Sequence, residues 1–200
     1  MYRSIIAGAA ASLWLAASPV AAEPFQNFVN MCIETNLDRQ AAGGMAKAAG
    51  WIALPAQDMG FEDDGFVDPA IYSSIDPDSV SDKTVGDFEL LLTGWGSGEV
   101  AFDFPGVRMD VCAVMAEAGD AASLTSRMEN HFGFRRINLD GEEVWVFSRQ
   151  GAAFRSEEAL MSLDEADAMQ VLREKKLHVV GVIAEEGMAG LLMAAIRPDR

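Results

Sequence analysis

Apolar positions along the chain switch repeatedly between helical spacing and strict alternation. After Pro24, a residue suited to the first turn of a helix, Phe25, Phe28, Val29, Cys32, Ile33 and Leu37 recur every three or four residues. Asp38 then has the chemistry to cap a second helix carrying Ala41, Ala42, Met45, Ala46 and Ala49, which Gly50 would end. Gly43 and Gly44 weaken that helix by roughly 1 kcal/mol each against alanine, which suggests a close approach of a neighbour. Trp51, Ile52 and Leu54 lead back toward a core.

The period changes to two further along. Val85 to Thr93 is largely apolar, and Gly94-Trp95-Gly96-Ser97-Gly98 has the composition of a turn. Val100, Phe102 and Phe104 alternate with polar or small residues. Val107, Met109, Val111, Ala113 and Met115 alternate with Arg108, Asp110 and Cys112. Asp120 and Gly133 bracket a helix with Leu124, Met128 and Phe132 on one face. Asp140-Gly141 predicts a hairpin between Ile137–Leu139 and Val144–Phe147. Ser162-Leu163-Asp164-Glu165 reads as a capping box for a helix bearing Ala166, Met169 and Leu172, with Arg173, Lys175 and Lys176 near its negative end. A last hairpin is expected around Glu185-Glu186-Gly187. The order αα-βββ-α-ββ-α-ββ, with tight turns between strands, predicts an α+β domain: a mainly antiparallel sheet with helices packed on one face.

Between Pro55 and Asp82 the pattern dissolves. The segment holds eight acidic residues, two glycines and prolines that break any period, and no lysine or arginine, which predicts a long acidic surface loop with one helical turn at 68–72. Its carboxylates (Glu62-Asp63-Asp64, and Asp76-x-Asp78) fit no calcium-binding register, so no metal site is assigned.

The first 22 residues follow another logic. Arg3 precedes an apolar run from Ile5 to Ala17, and Val20-x-Ala22 offers small residues at the positions a signal peptidase admits. That run is 13 residues, well short of the ~20 that span a bilayer. Residues 1–22 are therefore expected to be a cleaved leader, and 23–200 a single exported domain, periplasmic or secreted, without a membrane span. An oxidising destination and only two cysteines predict one disulfide, Cys32–Cys112.

Composition narrows the partners. A net charge of −16, with 31 acidic against 15 basic residues, argues against nucleic acid and anionic lipid, both of which need a basic footprint. Catalytic signatures are thin. The two histidines, His131 and His178, have no ligand spacing around them. Gly96-Ser97-Gly98 lacks the strand-elbow-helix setting of a hydrolase nucleophile. Phosphate-cradling loops and dinucleotide fingerprints are missing, and no cofactor is assigned. Arg135, Arg136 and Arg149 read as surface arginines, with an anion site across the hairpin as the alternative, and Trp95 between glycines is the candidate for partner binding. The sequence therefore favours a non-enzymatic binding or accessory module for an unspecified protein or small molecule. A hydrolase with a carboxylate-based site is the alternative.

Overall fold

The computed structural model describes residues 23–59, 66–76, 88–97, 106–117, 119–139, 141–185 and 187–198. Residues 1–22, expected to be a leader, residues 60–65 and 77–82 of the acidic segment, residues 85–87 and the strand expected at 100–104 lie outside these.

The described chain is an α+β fold built on one antiparallel sheet. Helix α1 (Pro24–Phe28) continues into a wider π turn, Val29–Glu34. Helix α2 (Arg39–Ala48) follows, with Asp38 accepting a 2.8 Å hydrogen bond from the Ala41 N–H. Then come β1 (Ile52–Leu54), β2 (Phe66–Ser73), β3 (Glu89–Ser97) and β4 (Val107–Glu117). Helix α3 (Ala121–Phe132) starts where Asp120 accepts from the Ala122 and Ser123 N–H groups. It ends at Gly133, whose φ of 77° is left-handed. Strands β5 (Ile137–Leu139), β6 (Glu142–Gln150) and β7 (Ala153–Ser156) precede helix α4 (Glu165–Glu174), and β8 (Leu177–Glu185) and β9 (Met188–Pro198) close the chain. The strand order is β1-β2-β3-β4-β9-β8-β6-β5, with β7 also on β6.

One face of the sheet carries Leu91, Cys112, Val114, Trp145, Phe147, Val180, Leu191 and Met193, all fully buried. The stripe from Phe28 to Leu37, Ala42 and Ala46 of α2, and Leu124, Met128 and Phe132 of α3 pack onto it in one core. The Cys32–Cys112 disulfide fastens the π turn to β4 across an 80-residue separation, with Cα atoms 5.6 Å apart.

Several local expectations need correction. Residues 66–73 are a strand rather than loop, and no helical turn forms at 68–72. Asp68, at φ 49°, makes the register shift between Val67 and Ala70, so a bulge at Asp68-Pro69 hides the alternation. Gly94 to Ser97 are not a turn but the end of β3, all paired with β4, and Trp95 and Gly96 also with β2. Gly94 is useful there because a Cβ would come within 3.4 Å of the Phe66 ring. Ile52 points outward, 40% exposed, while Trp51 enters the core alone. The cap of α4 is Asp164, which accepts from the Asp167 N–H, whereas the Ser162 hydroxyl donates to the Ala159 carbonyl. Helix α4 also takes the opposite sheet face, where Met169 and Leu172 meet Val107, Leu177 and Ile196.

Candidate functional site

The polar end of the helix-covered face is assembled by strand register. Arg108 of β4 pairs directly with Arg197 of β9. Leu177 pairs with Ile196, which sets Lys176 beside Arg197. Phe147 pairs with His178, which sets Arg149 of β6 beside Lys176. Four cations thus stand in one row across β4, β9, β8 and β6, with neighbouring strands about 4.8 Å apart. They are four of the 15 basic residues in a chain of charge −16. Like charges facing each other across strands are destabilising, so packing alone does not favour this row.

The next row inward holds Trp95, Asp110, Ala195, His178 and Phe147. Asp110 binds both arginines. Arg108 Nε and Nη2 each lie 3.1 Å from its Oδ1, and Arg197 Nη2 lies 2.8 Å from its Oδ2. The Arg108 guanidinium also stacks on Trp95, 4.0 Å from the ring centre. Two planar cations are thereby held side by side by a single carboxylate and an indole.

The other half of the row lies beneath the end of the π turn. Arg149 donates to the Ile33 carbonyl at 2.5 Å, and Lys176 donates to the Asn36 carbonyl at 3.2 Å. Both cations therefore complement the carbonyl end of the helix. Among the described residues, neither Arg149 nor Lys176 has a carboxylate within ion-pairing distance. Burial lowers the Lys176 pKa, and the charges of Arg197 and Arg149 add to that against the opposite pull of Asp110. Asn36 and Leu37 both adopt left-handed backbone, with φ of 54° and 62°. Such a conformation costs roughly 1–2 kcal/mol per residue outside glycine. His178 Nε2 lies 2.9 Å from Asn36 Oδ1 and so holds this corner. Burial first, and then Lys176 and Arg149, push the His178 pKa to about 4, so the ring is neutral at pH 7. Since the Asn36 oxygen only accepts, the proton sits on Nε2.

The remaining candidates do not converge. Trp95 lies half-buried on a strand rather than exposed on a turn. His131 packs among Phe25, Phe132 and Phe154, and burial lowers its pKa. Arg136 pairs with Glu129 and Glu143, so it does not join Arg149 in an anion site. The two buried carboxylates lie on opposite faces of the sheet. Glu89 faces α1, where it accepts from Asn27 Nδ2 at 2.5 Å and its Oε1 has no partner; burial raises its pKa. Glu157 meets Ser148 at 2.5 Å and Lys175 at 2.6 Å. Burial pushes its pKa up, but those two hydrogen bonds and the Lys175 charge outweigh it, and the pKa is lowered. A shallow cleft of ≈ 470 Å³ between Arg136, Ile137, Asn138, Glu158 and Ser162 gathers no such set. Among the described residues, no three His, Cys, Asp or Glu side chains come together as metal ligands, and no helix is long and apolar enough to cross a membrane.

Sequence reasoning singled out Trp95 and Arg149 but not Arg108, Lys176 or Arg197. The available signal was the alternation Arg108-x-Asp110-x-Cys112, which places two charges on the same strand face as a cysteine expected to be buried. Comparison with protein-family models, with curated proteins and with solved structures returned no match.

Proposed function

We propose that this chain is an exported, non-enzymatic binding module whose ligand surface is the Trp95 end of its sheet. The observation that carries the reading is the row Arg108, Arg197, Lys176 and Arg149, four cations on neighbouring strands of an otherwise acidic chain, of which Asp110 pairs with the two at one end. Concentrated positive charge on an acidic molecule attracts an anionic partner locally while the whole molecule repels extended polyanions. Trp95 holds Arg108 in place at one end of the row. Export is supported by Arg3, the apolar run to Ala17 and Val20-x-Ala22, and a disulfide fits an oxidising compartment. A carboxylate hydrolase gains no support from Glu89 and Glu157, which face away from each other across the sheet.

The test is expression of the full chain with its own leader, followed by fractionation and native mass spectrometry. The expected result is an oxidised periplasmic protein starting at Glu23. It should carry a bound species that is lost in Trp95→Ala. A chain retaining Met1 in the cytoplasm, or one that binds nothing in its native compartment, would overturn the proposal.

A further inference from the structure

We infer that the row takes a small oxyanion bearing more than one negative charge, a phosphate-type or polycarboxylate ligand. The inference rests on the binding-module reading and specifies its ligand. Among the described residues one carboxylate, Asp110, pairs with two of the four cations, so a monoanion would leave most of the excess charge unmatched. A long polyanion would have to leave the row and run over a chain of charge −16.

Donor capacity points the same way. A guanidinium carries five N–H donors and an ammonium three. Arg108 spends Nε and Nη2 on Asp110, and Arg197 spends Nη2 on it. Arg149 donates one N–H to Ile33, and Lys176 donates one to Asn36. Among the described residues these are the acceptors that the row meets, and they use a minority of its donors. Capping the Ile33 and Asn36 carbonyls explains one bond from each of two residues. It does not explain Arg108 and Arg197, which lie away from that corner.

The row is more open at one end than at the other. Ile33 and Asn36 sit over Arg149 and Lys176, while Arg108 and Arg197 are more open, with side chains 32% and 46% exposed. A ligand would meet the row first at the more open arginine pair. Asp110 and Trp95 act as positioning residues, since they hold the arginines rather than meet the ligand.

Two probes separate the phosphate and carboxylate classes: inorganic pyrophosphate and citrate. Each is titrated into the purified, oxidised chain by calorimetry, with sodium chloride at matched ionic strength as the control. Saturable binding of either or both is the expected result, weakening as salt is added. Pyrophosphate alone would assign the phosphate class, and citrate alone the carboxylate class. Arg197→Gln and Lys176→Gln should each weaken binding at least tenfold, and Arg197→Lys should restore part of the loss. Exposed Arg135→Gln should leave affinity unchanged. Unliganded melting curves identify any variant that fails to fold, in which case Arg197→Lys and the remaining glutamine variant decide. Binding no stronger than the chloride control, or binding indifferent to the row variants, would overturn the inference. If the exported chain meanwhile carries a different species that Trp95→Ala releases, the binding-module reading survives its failure.

Discussion

Arg108 lies over Trp95, its guanidinium carbon 4.0 Å from the ring centre, although the two residues stand in different rows of the β3–β4 ladder. The arginine leans inward along the strand, toward both the indole and Asp110. A cation over an indole contributes about 0.5–1 kcal/mol when exposed and about 2 when desolvated. A double-mutant cycle of Trp95→Ala and Arg108→Ala, read by urea unfolding, should therefore return a coupling of about 1 kcal/mol. Additive losses would mean that the stack contributes nothing beyond area.

The two adjacent glycines of α2 should respond oppositely to the same substitution. A Cβ on Gly43 would run into the Tyr72 hydroxyl and ring, whereas one on Gly44 would meet nothing within 4 Å. Gly44→Ala should stabilise by about 1 kcal/mol through helix propensity. Gly43→Ala should destabilise despite the same propensity gain, because Tyr72 is buried and must shift. Thermal unfolding of the two single variants checks the sign of each.

Reduction of the Cys32–Cys112 bridge should lower stability sharply. Chain entropy for a loop closed across 80 residues amounts to about 4.5 kcal/mol at most, and residual structure in the unfolded chain subtracts from that. The melting temperature with and without reductant is the measurement. A Cys32→Ala, Cys112→Ala chain should match the reduced protein, not the oxidised one.

Glu89 should make the fold less stable as pH rises. Burial raises its folded pKa, so the folded state holds the proton more tightly than the unfolded chain. Its stabilising effect is complete below the ordinary value of 4.5 and is lost as pH climbs through the folded value. Glu89→Gln should therefore raise the melting temperature by a few degrees at pH 7, and the gain should vanish near pH 4. Glutamine keeps an acceptor for Asn27 without burying a charge.

His178 works in the opposite sense. Its pKa falls from 6.5 to about 4 on folding, so between those values the unfolded chain binds the extra proton. Stability should drop as pH falls through that window, by up to about 3 kcal/mol from this group. Urea midpoints at pH 7 and pH 4.5 should differ more in the native chain than in His178→Phe, which preserves the stack on Phe147.

What the sequence disclosed was local. Asp38, Asp120 and Gly133 announce their helix ends because capping is settled within four residues. The final hairpin is equally readable, since Glu185 pairs with Met188 around a left-handed Gly187. Strand β2 escaped because Asp68 and Pro69 interrupt its period, and the end of β3 escaped because glycines usually signal turns. The disulfide was legible by counting cysteines in a chain with a leader-like start. The cation row was not, because Arg108, Arg149, Lys176 and Arg197 come from four strands and become neighbours only through long-range register.

The bridge bears on more than stability. Cys112 stands two residues from Asp110 on β4, and Cys32 stands four residues from Asn36 at the end of the π turn. It therefore ties together the two stretches of chain that frame the cationic row. A reduced copy would own every ligand-facing side chain yet lack the covalent strut that sets their spacing. On the proposed binding role, the affinity of the row should therefore fall on reduction even where the fold persists.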